Sequence, residues 1–263
     1  MTEPSPAAAE SELFGPLFAA KNQPAPMLGV AVVDALVDSI VAGRLQPGTL
    51  LPPESSLIES FGVSRTVIRE SVKRLEEKGL VTIARGRGTS VNPTSSWNIL
   101  DQVILSSLIK HDDTLGVLDE LSVVRAQLES VMAGEAAMRR TAPQLSELEG
   151  HLLEMRSSLD DETAFRAADA AFHQTMMAQS GNRLAESIAR ILFRRALSSA
   201  RYHGIDPSEN LHVTLAEHEK IFAAVAGGDE NEASETMKRH VLDAWRRRRI
   251  PHRGEQPSPR RPD

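Results

Sequence analysis

An aspartate and a histidine in the stretch DAAFHQTM, residues 169–176, are the side chains of this sequence best suited to chemistry. In a helix, Asp169 and His173 lie one turn apart, on the face that also carries Phe165 and Phe172. A helical bundle normally buries hydrocarbon on such a face, and an unpaired carboxylate is costly there. The stretch therefore raises the question of what compensates a carboxylate and an imidazole on this face.

Two further histidines, His218 and His240, occupy the same kind of position in later helical patterns, each on a face of apolar residues. One inward histidine is more often a hydrogen-bonded core residue than a ligand, but three of them with an aspartate shift that balance. A divalent cation would satisfy all four side chains. The predicted cofactor is a divalent metal ion on Asp169, His173, His218 and His240. Zn²⁺ is the first expectation, and the residue types leave Ni²⁺, Mn²⁺ and Fe²⁺ open.

An arginine on another apolar face raises the same question. Arg125 falls in the register of Leu121, Leu128 and Met132. A buried guanidinium is costly unless it is paired. Two interpretations stay open: Arg125 forms an internal ion pair with Glu129 or another acid, or it waits for an anion.

Length and composition set the broad class. A chain of 263 residues is comfortable for two domains. The absence of cysteine excludes disulfides and thiolate metal sites. No apolar run approaches the roughly 18 residues of a membrane span, and no signal pattern opens the chain. We therefore expect a cytoplasmic protein without a membrane partner.

The elements divide along the chain as follows. We expect a disordered arm over residues 1–27. A first domain of short helices and a β-like pair is expected over 28–93. A linker with the first helix of a bundle is expected over 94–114. Residues 115–249 predict an all-helical domain, because strand-like alternation is scarce outside residues 80–91. The tail 250–263 predicts disorder. The expected fold class is mainly α.

The first domain carries a basic segment inside an acidic protein of net charge −6. Seven Lys or Arg stand against three Glu between Val63 and Pro93, a local net charge of +4. Apolar spacing predicts one helix that stops at Gly43, a second over about 54–60, and a third that Ser64 caps and Gly79 ends. The order is helix, turn, helix.

Polar and basic residues line the third helix and the hairpin that follows it. Arg65, Arg69 and Lys73 recur every four residues beside an apolar face. Such a helix places its N-terminal side chains in a major groove, while a glycine wing reaches a groove or the backbone. A solvated charged helix is the alternative, but the cap, turn and wing together favour DNA binding. The predicted DNA-binding residues are Ser64, Arg65, Thr66, Arg69, Lys73, Arg85, Gly86 and Arg87.

The stretch VSRTVIRESVKRLEEKGLVTIARGRGTSVNP, preceded by AGRLQPGTLLPPE, closely resembles the winged-helix domain of GntR-type bacterial transcription regulators. The resemblance covers about residues 36–93 and implies double-stranded operator DNA as a partner. It implies contacts from Ser64, Arg65, Thr66, Arg69, Arg85 and Gly86. Many members have Ser and Arg around the acid of the second helix, where this chain has Pro53 and Ser55.

The order R-x-x-x-E, D-x-x-F-H, S-G-N and H-E-x-I-F, followed by a late histidine, resembles the FCD effector domain of the FadR subfamily, over about residues 115–245. It implies the same four metal ligands and a small carboxylate effector held by the metal and Arg125, with Asn182 as a weaker pocket residue. The segment 97–101 also resembles members that respond to sugar acids such as galactonate. The alternative is an apolar linker packed between domains.

The function expected from both patterns is a homodimeric transcriptional regulator, in most relatives a repressor released by its ligand. The alternative is a metal-dependent hydrolase or lyase with an accessory DNA-binding module. That alternative lacks a general base, because HEKIF at 218–222 has no second histidine at the HExxH spacing. His111, His151, His203, His212 and His252 are expected at the surface, and the run from Arg246 to Arg249 as a solvated helix end rather than a hook for DNA phosphate.

Overall fold

The computed structural model describes residues 25–198 and 209–249, and the side chains of 27–194 and 210–249. The predicted arm except its last three residues, the predicted tail, His203 and His252 lie outside these ranges. The chain divides into two units, one up to His111 and one from Asp112 onward. Each unit is described by itself.

The first unit contains four α-helices and one hairpin among its described residues. Its elements are α1 (Ala25–Val41), α2 (Glu54–Phe61), α3 (Arg65–Glu77), β1 (Val81–Ala84), β2 (Gly88–Val91), a 3₁₀ turn (Thr94–Ser96) and α4 (Gln102–His111). Helix, turn, helix and wing follow one another as the sequence predicts.

Local signals set the ends of α3. The Ser64 hydroxyl accepts a hydrogen bond from the Val67 amide at 3.4 Å and caps the helix. Gly79 follows the helix with φ of 76°, and a Cβ built on it would lie 2.1 Å from the Ser96 carbonyl oxygen. Only glycine fits this stop, because both the left-handed backbone and the close approach exclude a side chain.

The wing is antiparallel, with register from Val81 opposite Val91 to Ala84 opposite Gly88. A third segment adds to it, because Leu50 forms an isolated bridge with Ser90. The Leu51 amide donates to the Thr89 carbonyl at 2.8 Å. The sequence predicted no pairing between the first two helices, since a pairing this short leaves no alternation of apolar and polar residues.

Helix α4 packs in the first unit, on α1. The sequence placed it in 94–114 as the first helix of the bundle, and the structure differs. Ile104 is fully buried in the core of the first unit, and the Ser107 hydroxyl donates to Asp38 Oδ1 of α1 at 2.6 Å. Lys110 also contacts Asp38. The sequence of α4 does not show which helix its apolar face and polar side chains contact, so its packing on α1 could not be predicted.

The described part of the second unit is entirely helical, as predicted. Its helices are α5 (Gly116–Arg139), α6 (Ala142–Ser157), α7 (Glu162–Gln179), α8 (Arg183–Ser198), α9 (Glu209–Gly227) and α10 (Glu230–Arg248). Helix α5 packs against α7, α8, α9 and α10 and forms the centre of the bundle. No described helix has a stretch long and apolar enough to cross a membrane.

Side-chain caps begin two of the helices that carry inward polar residues. Asp161 accepts from the Ala164 amide at 3.0 Å before α7, and Asp229 accepts from the Glu232 amide at 3.0 Å before α10. Phe165 and Phe172 of α7 are buried in the bundle core. The register that buries these rings also turns Asp169 inward.

Candidate DNA-binding surface and candidate metal centre

All eight predicted DNA-binding residues are exposed. The side chains of Arg65 and Arg69 on α3 are 72% and 70% exposed, and the Nε atom of each lies about 4 Å from a Glu54 carboxylate oxygen. Exposed ion pairs of this kind contribute little to stability. Both guanidinium groups are therefore available to exchange Glu54 for phosphate or a base edge.

The wing turn presents three more of the predicted residues. Arg85, Gly86 and Arg87 connect β1 to β2, and the Arg87 amide donates to the Ala84 carbonyl at 3.0 Å. Gly86 has φ of 76°, a left-handed conformation that tight turns require. The turn holds two arginines at an exposed tip, the placement that a groove contact needs.

The four predicted metal ligands meet inside the bundle. Asp169, His173, His218 and His240 are all buried, and one ligand atom from each lies within 4.8 Å of the other three. His218 Nε2 is 3.1 Å from Asp169 Oδ1, and His173 Nε2 is 3.2 Å from His240 Nε2. Three helices supply them: α7 the first two, α9 the third and α10 the fourth. We call these residues the four-residue cluster.

Each histidine of the cluster has an oxygen next to its other ring nitrogen. His218 Nδ1 lies 2.8 Å from the Thr214 carbonyl, His240 Nδ1 lies 2.8 Å from Glu217 Oε2, and His173 Nδ1 lies 2.7 Å from Glu129 Oε2. A carbonyl or carboxylate oxygen only accepts, so it favours the tautomer with the proton on Nδ1. The Nε2 lone pairs are then available inside the cluster.

Two atoms that face the inside of the cluster lack a hydrogen bond within the described part of the chain, as does the outward His173 Nδ1 despite its 2.7 Å distance from Glu129 Oε2. Asp169 Oδ1 and His218 Nε2 are buried and make no hydrogen bond of acceptable geometry with the described residues. A buried polar atom without a partner costs on the order of 1–3 kcal/mol. Three imidazole nitrogens and one carboxylate oxygen form a donor set that Zn²⁺, Ni²⁺, Mn²⁺ or Fe²⁺ accepts. The residues present therefore fit a divalent metal ion.

The electrostatics of the site keep these groups in their ligand forms. Burial would raise the pKa of Asp169, but the contact with His218 and the positive charge around it hold that pKa well below its usual range. Burial, with the neighbouring His218, lowers the pKa of His240 to about 3. Asp169 is then an anion and His240 a neutral imidazole at neutral pH.

Arg125 is buried and paired within its own helix. Its Nε donates to Glu129 Oε1 at 2.8 Å, and its guanidinium carbon lies 4.3 Å from the centre of the Phe193 ring. Burial would raise the pKa of Glu129, yet Arg125 and His173 lower it to about 2. The internal ion pair is thus present, and Glu129 connects Arg125 to a histidine of the cluster.

Asn182 has a different place. Its Oδ1 accepts from the Ala185 amide at 3.2 Å, which makes it the N-cap of α8. The described contacts do not bring it into the four-residue cluster. A cap explains the residue without any ligand.

Of the four terminal arginines only Arg246 is exposed like a solvated helix end, and that prediction is wrong for the other three. Arg247 makes two bonds of 2.8 Å to the carboxylate of Glu217, and Arg249 pairs with Asp119 at 2.9 Å. Arg246 pairs with Asp243 at the exposed surface, and Arg248 is buried. The run holds the end of α10 to its own bundle.

The remaining described histidines differ in exposure. His212 is exposed as predicted. His111 and His151 are partly buried: the first lies 3.5 Å from Asp38, and the second 3.1 Å from the Thr175 hydroxyl. Neither residue is part of the four-residue cluster.

Sequence reasoning missed Glu217 and Arg247. Glu217 directly precedes His218, and Arg247 lies two turns beyond His240 on α10. The second spacing puts Arg247 on the same helix face as His240, which was a usable signal. The pairing itself depends on how α9 and α10 pack.

Two family models match the chain. "Bacterial regulatory proteins, gntR family" matches residues 28–91, and "FCD domain" matches residues 120–243. The galactonate operon transcriptional repressor of Escherichia coli is 32% identical over 218 residues, which cover 82% of this chain and 94% of that protein. The chain belongs to the GntR family. With its FCD domain, this GntR protein falls in the FadR subfamily.

Other relatives agree with this assignment. The HTH-type transcriptional regulator LutR of Bacillus subtilis is 30% identical over 205 residues, covering 76% of this chain and 92% of that protein. A fatty acid metabolism regulator of Escherichia coli is 28% identical over 208 residues, with coverage of 78% and 84%. This GntR protein is therefore a DNA-binding transcriptional regulator and not an enzyme, which removes the hydrolase or lyase alternative.

One solved structure supports the fold alone. It bears the description "Lar controls the expression of the Listeria monocytogenes agr system and mediates virulence.". Its TM-score is 0.55 at 20% identity, and the match covers 86% of this GntR protein and 97% of that chain.

Proposed function

We propose that this GntR-family protein is a repressor that binds its operator as a homodimer and responds to a small carboxylate. The carboxylate binds at a divalent metal ion held by Asp169, His173, His218 and His240. The observation that carries the proposal is the buried cluster itself: four ligand atoms within 4.8 Å of one another, two of them without hydrogen bonds among the described residues.

The metal would supply a fixed positive charge with coordination positions for an anion. Four protein ligands leave room for additional ligands on Ni²⁺, Mn²⁺ or Fe²⁺, and a fifth position on Zn²⁺. The protein residues do the rest: they fix the imidazole tautomers and exclude water by burial. Carboxylate oxygens are hard donors that suit such a cation.

Arg125 is the proposed second contact of the effector. It is buried next to the cluster through Glu129 and His173, so its charge already lies close to the metal ligands. A guanidinium recognises a carboxylate by planar, charge-assisted hydrogen bonds. Asn182 is kept only as a weaker candidate, because its side chain caps α8.

Two arguments support a proposed class of carboxylate. The relative in Escherichia coli is named for the galactonate operon, and galactonate is a sugar acid. The metal site and Arg125 together suit one carboxylate with a neighbouring hydroxyl. We therefore infer a sugar acid or a related hydroxy acid as the effector class.

DNA contacts are proposed for Ser64, Arg65, Thr66, Arg69, Lys73, Arg85, Gly86 and Arg87. Their exposure on α3 and the wing supports this, as does the match of residues 28–91 to the family model. Two copies are proposed because helix-turn-helix proteins read half-sites about one DNA turn apart. A chromosomal operator would place this activity in the cytoplasm.

Repression would be relieved by a population shift. An effector changes operator affinity only as far as it binds one arrangement of the dimer more tightly than the other. Typical couplings change affinity about 5- to 150-fold.

The test begins with metal analysis of the purified protein, before and after dialysis against a chelator and reloading with Zn²⁺. Loaded and metal-free protein are then titrated by calorimetry with a panel of sugar acids and hydroxy acids that includes galactonate. We expect one metal per chain and acid binding only by the loaded protein. Acid binding of equal strength without metal would contradict the proposed site.

A further inference from the structure

The side chain of Glu217 joins a cluster histidine to an arginine near the end of the same helix. Glu217 Oε2 lies 2.8 Å from His240 Nδ1. Arg247 Nη1 and Nη2 donate to Glu217 Oε1 and Oε2, both at 2.8 Å. His240 and Arg247 stand two turns apart on α10, and Glu217 comes from α9.

This geometry restricts both the carboxylate and the imidazole. A guanidinium that binds both oxygens fixes the plane of the carboxylate. A carboxylate only accepts, so it holds the His240 proton on Nδ1 and turns the Nε2 lone pair toward Asp169 and His173. The Glu217 and Arg247 side chains are only 21% and 23% exposed, so water competes weakly for their bonds.

The other two histidines of the cluster are held in different ways. His218 uses the Thr214 carbonyl of its own helix, one turn earlier, so no side chain sets its outer contact. His173 uses Glu129, which is fully buried with Arg125. His240 differs from both, because its Nδ1 partner Glu217 lies on α9 and forms a partly exposed ion pair with Arg247 on α10.

We propose that Glu217, held by Arg247, is a positioning residue of the metal centre. It fixes the tautomer and the orientation of His240, and so sets metal affinity and coordination geometry without touching the metal. The inference rests on the proposed metal site. Outer-shell partners of this kind typically change metal affinity 10- to 100-fold when they are removed.

The test compares matched pairs of variants. Glu217→Gln keeps the size of the side chain but removes its charge, and Glu219→Gln is its control. Glu219 lies on the same helix and pairs with an arginine, Arg156, at the surface. Arg247→Ala is compared with Arg246→Ala, because Arg246 pairs only with Asp243 among the described residues. Arg247→Lys tests rescue by a conserved charge.

Three quantities are measured on full-length protein: Zn²⁺ affinity by chelator competition, the visible absorption spectrum of the Co²⁺-loaded form, and thermal unfolding of the metal-free form. We expect Glu217→Gln and Arg247→Ala to weaken Zn²⁺ binding about 10- to 100-fold and to alter the Co²⁺ spectrum. We expect both controls to match the parent and Arg247→Lys to fall between.

Parental Zn²⁺ affinity and Co²⁺ spectrum in Glu217→Gln and Arg247→Ala would overturn the inference, even if the metal-free variants unfold at lower temperature. That result would make the ion pair a purely structural link. If the parent itself takes up no metal, the proposed metal site fails and this inference fails with it. The parent measurement therefore separates the two failures.

Discussion

The candidate DNA-binding surface and the candidate metal centre use the same kinds of side chains under opposite conditions. Arg65 is 72% exposed and lies 4.0 Å from Glu54, whereas Arg125 is 3% exposed and bonds Glu129 at 2.8 Å. The exposed pair is screened and exchangeable, which suits a surface that must trade partners for DNA. The buried pair is fixed, because removing either partner leaves an uncompensated charge in the core. The first region can exchange its ion pairs for DNA contacts, whereas the Arg125–Glu129 pair of the second stays in place.

The largest difference between the two regions is expected when the Arg125 side chain is removed. We expect Arg125→Ala to lower the free energy of unfolding by about 3–5 kcal/mol, because Glu129 is left buried without its cation. The matched exposed change, Arg65→Ala, should stay within about 0.5 kcal/mol. Urea unfolding of the metal-free proteins measures both. Equal losses in the two variants would remove the distinction between the regions.

Removal of a metal ligand comes next. We expect His173→Ala to weaken Zn²⁺ binding more than the roughly 100-fold that an outer-shell change produces. His212→Ala should leave it unchanged, since His212 is exposed and outside the cluster. Chelator competition gives both affinities. Zn²⁺ at 100 times its Kd should also stabilise the parent protein by about 2.7 kcal/mol. If His173→Ala keeps this stabilisation, His173 is not part of the site.

The sequence predicted the exposed region through local signals. The Ser64 cap and the Gly79 stop act within a few residues, so they are legible without knowledge of packing. The meeting of the four cluster residues was also predicted, because each stands in the apolar register of its helix. Glu217 and Arg247 were not, because their contact exists only once α9 and α10 pack together. The packing of α4 on α1 and the bridge at Leu50 were not predicted for the same reason.

A smaller effect is expected for a single DNA contact. Arg69→Ala should weaken binding to an operator selected from random duplexes by about 1–3 kcal/mol if Arg69 reads a base. If it holds a phosphate, the loss should be similar for all sequences, and the salt slope should fall by about one. Arg156→Ala on the second unit is the control. Unchanged gel shifts for Arg69→Ala would count against α3 as the recognition helix.

The smallest effect concerns the acid beside the recognition helix. Glu54→Gln removes a partner of Arg65 and Arg69, and should change the free energy of unfolding by no more than about 0.5 kcal/mol. Operator affinity should rise slightly at low salt and much less at high salt, because the competing charge is exposed and screened. A fall in affinity would show that Glu54 itself takes part in DNA binding.

The central claim is that the buried centre controls the exposed surface, and linkage tests it most directly. The tightest-binding acid of the panel is titrated into Zn²⁺-loaded protein with and without saturating operator, and operator affinity is measured with and without saturating acid. Thermodynamic linkage requires the operator to change the acid affinity by the same factor as the acid changes the operator affinity. We expect this factor to be about 5- to 150-fold. A factor of one in both directions, with acid and operator each bound, would contradict the claim.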